Sequence, residues 1–284
     1  MKTTKTVSVT ALMLATLLVA PAAFSSLIYT GTGLGNDGGY DYALSARAEF
    51  DLLGDGGPQP FQLRATLTNT SAVDVGIPIE ILTGFFFQLD ESITLSPVSA
   101  MLSAGSTVLH APVGGAGPDV GAEWAYRLRD DGMTEFVPPA EEGVFLTNRG
   151  VSSSGLGIFG PEHLFDPLHN LQGPLCPDGL QYGITSAGDN PNTGNAKVTG
   201  SQALIQNSVT FLFDVASPFD LSLIRNVWFQ YGTGLDDPSY PGIIYVNGDP
   251  TPTPTPPVPE PATGILLGLS LGGLALRRRM LGRG

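Results

Sequence analysis

The sequence predicts an all-β body, an antiparallel β-sandwich, with a targeting segment at either end. Three observations predict it. Apolar and polar residues alternate over two consecutive runs joined by a Gly-rich turn, Gly54-Asp55-Gly56-Gly57-Pro58. Glycine at 37 and proline at 24 punctuate the chain at short intervals. No window between the termini sustains a helical period. Strict alternation is what a half-buried strand requires, because successive side chains point to opposite faces of a sheet.

Taken in order, the first element is a leader. Lys2 and Lys5 precede an apolar stretch from Val7 to Ala20, and Ala20-Pro21-Ala22 follows. A basic start, a short apolar core and small residues at the cut predict a signal peptide over residues 1–22. Ala20 and Ala22 occupy the positions that signal peptidase reads, so the mature chain is expected outside the cytoplasm.

The body, residues 23–249, begins its clear strands at Leu44. Leu44, Ala46, Ala48, Phe50 and Leu52 alternate with Ser45, Arg47, Glu49 and Asp51. Beyond the turn, Phe61, Leu63, Ala65 and Leu67 alternate with Gln62, Arg64, Thr66 and Thr68. The two runs predict a hairpin with one buried face. Further strands are expected over Gly84–Leu89, Glu123–Leu128, Gly143–Thr147, Ser208–Val215, Asn226–Tyr231 and Ile243–Val246. Many short strands with Gly/Pro turns argue for a sandwich, and both jelly-roll and immunoglobulin-like topologies fit.

A Thr-Pro repeat, residues 250–257, separates the body from the tail. Alternating proline favours extended polyproline II and makes a semi-rigid spacer. The tail, residues 258–284, has three parts in a fixed order. Pro259-Glu260-Pro261 comes first, then an apolar run of 13 residues from Gly264 to Leu276, then Arg277, Arg278 and Arg279. As a helix the run spans about 20 Å at ~1.5 Å per residue, against roughly 30 Å of hydrocarbon. The arginines hold the end on the cytoplasmic side. Such a short hydrophobic helix makes a temporary stop, giving transient association with the inner membrane.

Triplet, apolar run and basic end together resemble the PEP-CTERM sorting signal of bacterial surface proteins. The resemblance implies an exosortase, an integral-membrane processing enzyme that recognises Pro259, Glu260 and Pro261 and removes the tail. Three stretches of the body also resemble a group of exosortase-dependent surface proteins: Leu67-Thr68-Asn69-Thr70-Ser71, Val151 to Gly157, and Tyr182 to Asp189. That group brings no assigned biochemical activity.

Charge narrows the partners. Six of the 13 basic residues and one of the 26 acids lie in the two ends, leaving residues 23–257 with 7 against 25, a net of −18. A body that acidic repels polyphosphate, which excludes nucleic acid as a partner. Its single cysteine, Cys176, excludes an intramolecular disulfide framework. Stability must come from a packed core, which a body of this length can supply.

Candidate chemistry is sparse. Glu162, His163, Asp166, His169, Cys176 and Asp178 gather zinc-type ligands, but in a Pro-rich, non-helical spacing. Ser152-Ser153-Ser154-Gly155 lacks the turn context of an activated serine. Asn36-Asp37-Gly38-Gly39-Tyr40-Asp41, Asp130-Asp131-Gly132 and Asp236-Asp237 place oxygen atoms in turns that Ca²⁺ could use. Turns need Asp and Gly for their own geometry, so no cofactor is expected. Trp124, Tyr126, Trp228, Phe229 and Tyr231 could make a sugar platform, although core filling is the ordinary use of such rings.

The resulting expectation is a secreted, exosortase-processed surface or extracellular-matrix protein. Its β body is non-catalytic and contributes to a biofilm or exopolysaccharide layer. A carbohydrate-binding module acting on exopolysaccharide is the alternative. A hydrolase with two carboxylates about 5–9 Å apart is a third class, for which no residue pair can be nominated.

Overall fold

A computed structural model of the protein describes residues 26–37, 40–54, 61–72, 74–111, 117–128, 147–165, 177, 179–190, 202–216, 218–246 and 249–250. In chain order the strands are β1 (Leu27–Asp37), β2 (Tyr40–Leu53), β3 (Phe61–Asn69), β4 (Leu82–Gln88), β5 (Leu95–Leu102), β6 (Thr107–Leu109), β7 (Ala125–Leu128) and β8 (Arg149–Ser152). They continue with β9 (Ile184–Thr185), β10 (Leu204–Gln206), β11 (Ser208–Val215), β12 (Arg225–Tyr231), β13 (Ser239–Pro241), β14 (Ile243–Val246) and β15 (Asp249–Pro250). Among the described residues the only helical segments between them are short 3-10 turns such as Pro78–Glu80 and Leu221–Leu223, and no α-helix occurs.

Two sheets face each other. The first runs β15-β14-β1-β2-β3-β11-β5, and the second runs β13-β12-β4-β9-β10-β6, with β8 also on β4 and β7 on β8. Pairing is antiparallel except between β9 and β10. This is the all-β sandwich that the alternation predicts.

The predicted hairpin is β2 and β3, with Ala48 opposite Leu67, Phe50 opposite Ala65 and Leu52 opposite Leu63. Leu44, Ala46, Ala48, Phe50, Leu63, Ala65 and Leu67 are buried, while Phe61 at the strand end is only half-buried. The outward face is polar and laterally tied. Arg64 donates from Nε and Nη2 to Asp51 at 3.1 and 3.0 Å, and Arg47 meets Glu49 at 2.8 Å.

Aromatic rings fill the space between the sheets. Phe50 meets Tyr29, Phe85 and Phe87 with ring centroids 6.1, 6.1 and 5.9 Å apart. Trp124 stands edge-on to Phe211 at 5.0 Å. Offset and edge-to-face pairs of this kind add about 0.5–1.5 kcal/mol each beyond their buried area. β4 is buried on both faces: Phe85 and Phe87 enter this core, while Phe86 packs on the far side with Trp228, Leu156 and Phe159. The segment around Leu156 and Phe159 therefore covers the outer face of the second sheet.

β1 is a strand that alternation does not announce. Its inward positions after Tyr29 are Gly31, Gly33 and Gly35, and over the first two the partner sheet brings rings onto the backbone. A Cβ on Gly31 would stand 2.5 Å from Phe229 Cδ2, and one on Gly33 would run into the Tyr240 ring. Elsewhere the boundaries shift. The strand expected over Glu123–Leu128 starts at Ala125, after a 3-10 turn at Gly121–Glu123. The expected Gly143–Thr147 strand falls mostly outside the described residues, and β8 follows it at Arg149.

Three outer strands carry a proline: Pro97 in β5, Pro241 in β13 and Pro250 in β15. Proline lacks the N–H that a ladder needs, so it suits a strand with one free side. Among the described residues no helix is long and apolar enough to cross a membrane. The expected signal peptide and the apolar tail both lie outside them.

Candidate functional site

The sorting segment leaves the body from β14 and β15. β14 lies against β1, with Ile28 opposite Tyr245, Tyr29 opposite Ile244 and Thr30 opposite Ile243. Ile244 packs against the main core and Ile243 is exposed, as alternation across a half-buried strand requires. Val246 then pairs with Asp249, so only Asn247 and Gly248 join β14 to β15. Asn-Gly is the pair that two-residue hairpin loops favour, because both positions need positive φ. The last described pair sets Tyr245 opposite Pro250, the first residue of the Thr-Pro stretch. Ala20, Ala22, Pro259, Glu260, Pro261, Arg277, Arg278 and Arg279 lie outside the described residues.

The three body stretches that resemble exosortase-dependent proteins meet around the start of β4. Asn69 is buried, and its Nδ2 donates to the carbonyls of Glu80 at 3.2 Å and Ile184 at 2.9 Å. Its Oδ1 accepts from the Ser71 N–H at 3.1 Å. Ile184 pairs with Leu82 of β4, whose neighbour Thr83 gives its carbonyl to the hydroxyls of Ser152 and Ser153. Tyr182 is fully buried at φ 54°, a left-handed conformation that costs a bulky residue about 1–2 kcal/mol. The convergence is a staple between the two sheets. Its signal in the sequence is a polar residue, Asn69, at an inward position of the β3 alternation.

Two further polar clusters were not legible beforehand. Asp189 Oδ1 accepts from the Val75 N–H at 3.1 Å, and Asp74 Oδ1 accepts from the Asn190 N–H at 2.6 Å. Two loops thus clasp each other reciprocally and set the carboxyl groups side by side. Burial, then hydrogen bonding and repulsion from Asp74, push Asp189 above the usual aspartate range, against the opposing bonds from Val75 and Thr185. Arg149 is also buried and donates to the carbonyls of Asn148, Asp90 and Ile93 at 3.0, 3.4 and 2.8 Å. Burial lowers its pKa, which the nearby Tyr126 and Glu91 oppose. Burial likewise pushes Tyr126 up to about 12.

The other sequence candidates are placed as follows. Trp124, Tyr126, Trp228, Phe229 and Tyr231 are all buried, so these five rings form core and not a sugar platform. Ser152, Ser153 and Ser154 are buried, and their hydroxyls donate to the backbone of Thr83, Ser154 and Thr233. His163 Nδ1 lies 3.5 Å from Glu162, while Asp166, His169, Cys176 and Asp178 fall outside the described residues. No three His, Cys, Asp or Glu side chains among the described residues converge to hold a metal. In the calcium-type turns, Asp237 Oδ2 accepts from the N–H groups of Thr233 and Gly234 at 2.7 and 2.8 Å. Asn36 donates to Asp41 at 2.9 Å. Both acids close their own turns, and Asp130-Asp131-Gly132 lies outside the described residues.

Comparison with known proteins bears on the tail alone. Residues 257–279 match the family model of the PEP-CTERM protein-sorting motif. No curated protein and no solved structure matches the chain significantly. The matched stretch spans the Pro259-Glu260-Pro261 triplet, the apolar run and Arg277 to Arg279, in the order read from the sequence. The chain therefore carries the PEP-CTERM protein-sorting motif, the mark of an exosortase-dependent secreted surface protein.

Proposed function

We propose that the protein is a structural component of an extracellular biofilm or exopolysaccharide layer, delivered by removal of its C-terminal tail and built on a non-catalytic β body. The sorting motif carries the delivery half of this reading. The body half is supported by the use of its polar residues: buried serines, Asn69 and Arg149 bond to backbone, and turn acids cap their own loops. Glu260 sits between two prolines, which fix φ on both sides and leave little entropy to lose on binding a protease.

The test is a pair of variants in a host that has the exosortase. Glu260→Gln keeps the shape and removes the charge, whereas Pro259→Ala keeps the charge and loosens the backbone. Either should hold full-length protein in the membrane fraction and deplete it from the cell exterior. Replacing Gly268 and Gly272 by leucine lengthens no span and should matter much less. Normal delivery of Glu260→Gln would leave a plain C-terminal anchor as the reading. A glycan array separates a matrix component from a carbohydrate-binding module, and with the five rings buried no discrete glycan hit is expected.

A further inference from the structure

The register of the first sheet fixes where the body's two ends emerge. β1 starts at Leu27, β14 ends at Val246, and Ile28 stands opposite Tyr245. The first strand thus begins and β14 ends at one pole, on neighbouring strands, and β15 turns back there beside Val246 and Tyr245. The far end of β1 approaches the turn after β12, where Gly35 lies near Pro238. At ~3.3 Å per residue, that pole is about 35 Å away along the 11 residues of β1.

Among the described residues, the strands of this sheet pair with one another and all precede the tail. β15 ends at Pro250, nine residues before Pro259, and Pro250 can donate no hydrogen bond to extend the ladder. While the apolar run and arginines are still held at the membrane, every strand of the body is already on the outer side. β1 leaves the cytoplasm long before β14, so the sheet waits only for β14 and β15. Non-local β pairing of this kind takes milliseconds to seconds.

We infer that β14 pairs with β1 while the sorting tail is still attached, so the processing enzyme meets a finished sandwich. The inference rests on the sorting reading above.

Thr30 and Ile243 report the pairing directly. They are opposed on the outward face, where cross-strand Cα atoms stand about 4.5–5.5 Å apart, within the range a disulfide spans. Full-length chain with Thr30→Cys, Ile243→Cys and Cys176→Ser is produced in hosts with and without the exosortase. Non-reducing gels then give the cross-linked fraction. The uncut, membrane-held chain should cross-link to the same extent as the released protein. A cross-link confined to released protein, or absent from both, would overturn the inference. Leu34→Cys with Ile243→Cys, four residues out of register, should stay reduced, and oxidation there would overturn it too. A chain that cross-links yet stays full-length beside an active exosortase would instead overturn the sorting reading.

Discussion

Asn69 shows how one polar side chain can bind two sheets together. Its amide satisfies two buried carbonyls from different segments, so Asn69→Leu removes a donor that nothing replaces. Each orphaned group costs about 1–3 kcal/mol, and the variant should lose roughly 2–4 kcal/mol in urea unfolding. Asp189 behaves differently because its penalty depends on pH. Its carboxyl is raised, so the folded state holds this proton more tightly than the unfolded chain does. That stability is complete below the ordinary aspartate value near pH 3.9 and is lost as pH rises through the raised folded value. Asp189→Asn keeps the Oδ1 that accepts from Val75 and adds a donor toward Asp74. The variant should be no less stable than the parent at pH 7, and its stability should fall less between pH 4 and 7. A steeper fall, measured by thermal melts across that range, would contradict the clasp. Neither residue announces its partner in sequence. The distance from Asn69 to Ile184 or from Asp74 to Asp189 exists only once the sheets are stacked.

At the scale of the strand, the legible elements are those whose two faces differ in polarity. β11 and β14 fall on the expected residues, and the β2–β3 hairpin has the expected register. This predicts a sharp contrast along β3. Leu63 is fully buried opposite Leu52, so Leu63→Asp should cost several kcal/mol or prevent folding. Phe61, half-buried at the strand end, should tolerate Asp better. Arg64 faces outward on Asp51 and keeps 42% of its side chain exposed, so Arg64→Ser should cost less than about 1 kcal/mol. Equal losses in chemical denaturation would mean the register is wrong. β1 escaped notice for a physical reason: its inward face is glycine, and the contact it makes is backbone against the rings of Phe229 and Tyr240. Gly33→Val should therefore destabilise by overpacking, typically 1–3 kcal/mol, although valine favours strands elsewhere. β9, β10 and β13, of two or three residues each, were too short to show any period.

At the scale of the molecule, targeting and folding occupy separate stretches of sequence. The sorting segment was legible because its order of triplet, apolar run and basic end is local, whereas the body's staple and clasp are assembled from distant loops. Residues 26–250 alone should give strand-dominated far-UV circular dichroism and one cooperative thermal transition. Helical signal or a broad, non-cooperative loss would count against a self-sufficient body. The prolines of the outer strands have a consequence at high concentration. In the matrix role proposed above, many copies of the chain would pack together, and an unpaired strand is a template on which the next copy's strand can add. Pro97, Pro241 and Pro250 interrupt that template on β5, β13 and β15. At these three edges a neighbouring copy is kept from extending the ladder, which leaves β6, the proline-free end of the second sheet, as an edge on which shared backbone pairing can begin.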